Sequence, residues 1–155
     1  MQFNHYLNFN GEAEAAFTFY QSIFGGEFSV LTRYDDLPPQ EGIVLSDSQK
    51  SLILHVSLPI NEFTVLMGSD VNEQFCSPAN AILNKGNNHY ISINLENNDN
   101  EARRLFNLLS IGGVIEMPLQ KTFWGVLYGA FSDQFGIKWM VNCQLLDERN
   151  HMRLT

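Results

Sequence analysis

Hydrophobic and polar positions change period along the chain, and they do so twice in the same order. Near the start Phe3, His5, Leu7 and Phe9 alternate with Asn4, Tyr6, Asn8 and Asn10, the period of a strand. Ala13, Ala16, Phe17, Tyr20, Ile23 and Phe24 then recur at spacings of three and four, which predicts one apolar face on a helix over 11–24. Asn10 is a suitable N-cap, Glu12 and Glu14 suit the positive end of the helix dipole, and Gly25-Gly26 supplies the stop. Strand-like runs follow at 27–34, 51–57 and 62–67, with Pro38-Pro39 marking a loop and Pro59 a break.

The second half repeats this order. Ile91, Ile93 and Leu95 alternate within 89–95, and a helix capped by Asn98 or Asp99 carries the stripe Ala102, Leu105, Phe106 and Leu109. Asn98 and Glu101 have capping-box spacing. The helix stops at Gly112-Gly113, and strands are expected at 114–117, 123–131 and 137–143. Setting the double glycines in register gives an offset of about 87 residues and places Glu14-Ala15 on Glu101-Ala102. The expectation is an α+β fold of two tandem βαβββ modules, 1–69 and 89–144, within one structural domain. A linker over 70–88, with a short helix near 79–83, joins them, and a polar tail occupies 145–155.

Composition narrows the function classes. With 155 residues, 45% of them hydrophobic, the chain can bury a core of its own. Seventeen acidic against nine basic residues give a net charge of −8, which repels nucleic-acid backbones and anionic lipid heads. No apolar run approaches the ~18–20 residues of a membrane span. No basic segment followed by an apolar block opens the chain, so a cytoplasmic protein is expected. Cys76 and Cys143 stand in no metal-binding or redox spacing, and reduced thiols are the expectation.

Three segments carry a family resemblance. They are Tyr6-Leu-Asn-Phe-Asn-Gly11 with Phe19-Tyr20 in the helix, Leu66-Met-Gly-Ser-Asp70, and Met117-Pro-Leu-Gln-Lys-Thr-Phe-Trp-Gly125 leading to Asp133-Gln-Phe-Gly-Ile-Lys-Trp-Met-Val-Asn142. With the repeated βαβββ order, they resemble the vicinal-oxygen-chelate superfamily of glyoxalase I, bleomycin-resistance proteins and extradiol dioxygenases. Within it they look like the PhnB-type subgroup, often labelled "3-demethylubiquinone-9 3-methyltransferase domain". The resemblance spans about residues 3 to 143. It implies two four-stranded mixed sheets curling round a shared cavity, helices outside, and a homodimer.

In metal-using members of that superfamily, four side chains from four strands hold a divalent ion that acts as a Lewis acid. The positions this implies here are His5, with Asn4 the alternative if the register slips by one, then Met67, Tyr90 and Met140. His89 lies one residue from Tyr90 and so on the opposite face. Two thioethers, a phenol and one imidazole are a poor donor set for zinc, nickel, iron or manganese. No cofactor is therefore assigned, a divalent metal being the one the resemblance leaves open. The methyltransferase label also lacks support. No glycine-rich turn of the G-x-G-x-x-G kind joins a strand to a helix, and the double glycines end helices rather than begin them.

The remaining candidates form a ligand surface. Gln120 and Thr122 share the strand face of Trp124 if 120–124 is extended, and Tyr128 lies four residues further along that face. An indole beside an amide and a hydroxyl suits a flat, polar ligand. His55, in an apolar strand, reads first as a packed and hydrogen-bonded histidine, His151 as solvated in the tail, and Asp70 as a turn residue. The expected function is small-molecule binding in an aromatic cavity by a homodimer with His5, Gln120, Thr122, Trp124 and Tyr128 at the ligand. The alternatives are a divalent-metal lyase or dioxygenase with a non-standard ligand set, and a protein whose dimer surface is its function.

Overall fold

A computed structural model describes residues 1–146. Eight strands and three α-helices follow in the order β1 (His5–Phe9), α1 (Ala13–Phe24), β2 (Val30–Arg33), α2 (Asp47–Lys50), β3 (Ile53–Pro59), β4 (Val65–Asp70), β5 (Ile91–Glu96), α3 (Asp99–Leu109), β6 (Val114–Lys121), β7 (Val126–Ser132) and β8 (Lys138–Gln144). Two compact units divide at Asn84/Lys85. The first holds a sheet in the order β1-β4-β3-β2 and the second a sheet in the order β5-β8-β7-β6. In each, the first and last strands of the βαβββ order pair in parallel and the rest antiparallel, so both are mixed α+β sheets with one topology.

Each sheet has one face built for a helix. In the first unit Leu7, Phe9, Val56, Leu58 and Leu66 are buried, and α1 packs on β3 and β4 through Ala13, Ala16, Phe17, Tyr20 and Ile23. Phe17 meets Phe9 and Tyr20 edge-on, with ring centres 6.2 and 5.7 Å apart. In the second unit Ala102, Leu105, Phe106 and Leu109 of α3 cover Ile91, Leu127, Phe131, Trp139, Val141 and Cys143. These are the stripes the periodicity predicts. Both cysteines are free thiols, Cys143 buried and Cys76 half-buried.

Several local expectations need correction. Asn10 does not cap α1: the N-cap is Glu12, and the Ala13 N–H instead donates to Asp70 Oδ1 at 3.0 Å. Asp70 is thus no turn residue but the buried end of β4, whose other oxygen accepts from the Ile53 N–H at 2.9 Å. The run at 123–131 is not one strand. Residues 122–125 form a tight turn, closed by Gly125 N–H donating to the Thr122 carbonyl at 3.1 Å, and β7 starts at Val126. Gly125 adopts φ +90°, which glycine reaches without steric cost. The short helix near 79–83 is a 3-10 turn over Pro78–Asn80. Of the tail 145–155, residues 147–155, His151 among them, lie outside the described residues.

Candidate functional site

Strand alternation leaves each sheet a second face, turned away from its helix. In the first unit this face is set by pairing: Tyr6 lies beside Met67 and Met67 beside Ser57, while Asn8 lies beside Ser69 and Thr32 beside His55. Tyr6 stacks on the His55 ring at 5.6 Å between centres and 20° between planes. The Tyr6 hydroxyl is 3.1 Å from His55 Nδ1, and the Ser57 hydroxyl is 2.9 Å from His55 Nε2. Both imidazole nitrogens are thus held by hydroxyls from the same face, which fixes the ring. The Ser69 hydroxyl donates to Asn8 Oδ1 at 3.4 Å. An aromatic pair in a field of neutral donors and acceptors offers stacking area and directional hydrogen bonds to a small molecule.

The second unit's equivalent face carries charge. Here Ser92, Met140, Ala130 and Met117 form one row, and Asn94, Asn142, Tyr128 and Gln120 the next. Tyr90, just ahead of β5, donates its hydroxyl to Glu116 Oε2 at 2.5 Å. Glu116 Oε1 accepts from the Ser132 hydroxyl at 3.0 Å and from the Lys138 ammonium, which also lies 4.8 Å from the centre of the Tyr90 ring. The Lys138 ammonium, with help from Tyr90 and Ser132, holds the Glu116 carboxyl below the usual carboxylate range, and Glu116 raises Lys138 in turn. A paired carboxylate and ammonium are therefore both charged at neutral pH.

The structure redistributes the sequence candidates. His5 pairs with Leu66, in phase with Leu7 and Phe9, so the side chain that shares a face with Met67 is Tyr6. Asn4 and Asn8 have the phase of Tyr6, and Asn4 Oδ1 accepts from the Val65 N–H at 3.1 Å. Tyr90 and Met140 have the same phase as each other, but Tyr90 is bound to Glu116. Gln120 and Tyr128 stand directly opposite one another in β6 and β7. Thr122 does not join them: its hydroxyl donates to the Val126 carbonyl at 2.8 Å and accepts from the Val126 N–H at 3.1 Å. Trp124 sits on the hairpin tip, 62% exposed, with Phe123 against its edge at 4.5 Å. Trp139, by contrast, is buried and donates its indole N–H to Asp133 Oδ2 at 2.9 Å.

Four residues of these faces are not among the sequence candidates: Tyr6, Ser57, Glu116 and Lys138. For the first, the alternation of β1 already held the clue. Leu7 and Phe9 must face the core, which sends Tyr6 and Asn8 to the other side.

Metal-using members of the vicinal-oxygen-chelate superfamily that the sequence resembles hold a divalent ion on side chains of four strands. Among the described residues no group of three or more His, Cys, Asp or Glu side chains stands close enough to ligate an ion. The phase that carries Met67 offers an imidazole already bound at both nitrogens, and the phase that carries Met140 a carboxylate already bound to an ammonium. These residues do not fit a divalent centre of the usual hard or borderline donors.

Comparison with known proteins places this arrangement. Protein YjdN of Escherichia coli K12 is 25% identical over 143 residues, which cover 92% of this chain and 95% of that one. Among solved structures, protein PA1353 from Pseudomonas aeruginosa is 34% identical, covers 94% of this chain and 99% of its own, and superposes with a TM-score of 0.78. A PhnB protein from Bacillus cereus shares the fold at 24% identity, a TM-score of 0.63 and coverage of 92% and 99%. The model of the Glyoxalase/Bleomycin resistance protein/Dioxygenase superfamily matches residues 2–141, and with the repeated βαβββ topology it makes this chain a member of that superfamily.

Proposed function

We propose that this protein binds a small, flat, polar molecule against a sheet face turned away from its helix, as a PhnB-type binding protein rather than a metal-dependent catalyst. The observation that carries this reading is the Tyr6–His55 stack, fixed by two hydroxyl–imidazole contacts on a face that α1 does not cover. Gln120 and Tyr128, opposed on the second sheet, supply an amide and a phenol of the same character. His5, Thr122 and Trp124 drop out of the binding set, because their phase or their turn bonding directs them elsewhere.

The reading includes a cytoplasmic homodimer. Its support is the exposed apolar side chains Val114, Ile115 and Met117 on the edge strand β6, with Phe123 and Trp124 beyond them. Among the described residues no helix is long and apolar enough to cross a membrane.

The test is a thermal-shift panel of flat heteroaromatic compounds and bleomycin-type drugs on the tag-free protein. At least one compound is expected to raise the melting temperature in a saturable way, and Tyr6→Ala or His55→Ala to abolish that rise. A panel that never shifts the parent protein defeats the reading.

A further inference from the structure

The two units differ most in the connection between their second and third strands. In the second unit β6 and β7 are joined by the four residues 122–125, whereas in the first the connection runs over 34–52. The fold does not require that longer connection, since the second unit forms the same sheet without it. Connections of this length either carry regular structure of their own or are functional or disordered loops. This one is built. Leu37 N–H closes a 3-10 turn onto the Tyr34 carbonyl, and Ser46 and Gln49 form a reciprocal capping box on α2. Gln74 donates to the Val44 carbonyl at 3.0 Å, tying the far side down.

The segment encloses a groove of about 330 Å3. Its aromatic surface is Phe75, backed by the buried Tyr34 with ring centres 5.2 Å apart. Tyr34 is fixed because its hydroxyl donates to the Asp70 carbonyl at 2.8 Å, and burial pushes its phenol up, so it stays neutral. Leu37, Ile43 and Leu45 supply apolar walls. Asp35 and Lys50 also line the groove, and among the described residues neither is in an ion pair.

We propose that this groove is a second ligand site, separate from the sheet faces, and that it takes a free α-amino acid with an apolar side chain. The side chain would lie on Phe75, the ammonium group would meet Asp35, and the carboxylate would meet Lys50. The volume suits a small ligand rather than a peptide segment, being at the low end of the ~300–1,000 Å3 of small-molecule pockets. A zwitterion meets both of these exposed charges, which an apolar acid or an amine alone does not.

The test uses L-phenylalanine as probe, with 3-phenylpropionate and phenethylamine as its half-charged analogues, by calorimetry and ligand-observed NMR on the full chain. Saturable one-to-one binding of phenylalanine is expected, and each analogue should bind about tenfold more weakly, the worth of one charge-assisted contact. Asp35→Asn and Lys50→Gln, both at exposed positions, should each weaken phenylalanine by the same factor. The proposal is overturned if phenylalanine shows no saturable binding up to its solubility. Equal binding of either analogue, or binding unchanged in both variants, overturns it too.

Discussion

The ring of Phe17 occupies the space that a side chain at Gly68 would need. A Cβ built on Gly68 stands 2.7 Å from Phe17 Cε2 and 2.7 Å from the Leu7 carbonyl oxygen. The second unit uses the same device: a Cβ at Gly129 stands 2.6 Å from Phe106 Cε2 and 2.9 Å from the Leu119 Cα. In both, a helix phenylalanine is seated on a strand glycine, which lets the helix approach the sheet. Gly68→Ala and Gly129→Ala are each expected to destabilise by about 1–3 kcal/mol, since backbone as well as ring must move. Urea denaturation checks this. In the double variant Phe17→Leu, Gly68→Ala the second change should cost less than it does alone.

Asp70 ties three segments of the first unit together. Its carboxylate accepts from the Ala13 and Ile53 amides, and its carbonyl accepts from the Tyr34 hydroxyl. Asp70→Ala leaves two buried N–H groups without their acceptor, and each such group costs about 1–3 kcal/mol. Asp70→Asn keeps one acceptor oxygen and should fall between parent and alanine variant. Equal midpoints for Asp70→Ala and the parent would show that water replaces the carboxylate at both amides.

These contacts show which parts of the molecule the sequence discloses. Asn98 was legible as a cap because its partner is three residues away: its Oδ1 accepts from the Glu101 N–H at 3.1 Å. The cap of α1 was not, because Asp70 reaches Ala13 across 57 residues and only the β1–β4 pairing brings them together. Both helix stripes and the repeated topology could be read because amphipathic periods are local. The site was legible only in part. Gln120 and Tyr128, expected along one strand face, instead stand opposite each other on two strands that the turn at 122–125 joins. Thr122 and Trp124 fell in a turn that glycine alone announced, and there strand alternation does not apply. His5 was placed by the family resemblance, whereas the alternation of β1 sets it in phase with Leu7 and Phe9.

One residue near or in every strand of the second sheet meets at Glu116: Tyr90 ahead of β5, Ser132 of β7 and Lys138 of β8. The folded carboxyl titrates below its unfolded value of about 4.3. Its contribution to stability is therefore present above that value and lost as pH falls through the folded one. Lys138 has the opposite sign: raised in the fold, its contribution is present below about pH 10.4 and lost as pH rises through the raised value. Glu116→Gln should lower the melting temperature at pH 7, and its deficit should shrink as the pH falls through about 4 toward 3. Calorimetric scans of both proteins across that range check the prediction, and a deficit that stays constant down to acid pH would contradict it.

The two tryptophans should behave as opposites. Trp139 is buried under α3 with its indole N–H on Asp133, so Trp139→Phe removes a buried hydrogen bond and leaves a void, at about 2–3 kcal/mol. Trp124 is mostly exposed and touches Phe123 edge-on, a contact of about 1 kcal/mol or less at a solvated tip. Trp124→Phe should therefore leave the unfolding midpoint nearly unchanged while removing most of the fluorescence that acrylamide quenches. Trp139→Phe should do the reverse. The outcome also bears on the proposed homodimer. If Trp124→Ala lowers the melting temperature, and does so more strongly as the protein is diluted, the indole contributes to a contact between copies, because only an assembly's stability depends on protomer concentration. A deficit independent of concentration instead assigns Trp124 to packing within its own chain.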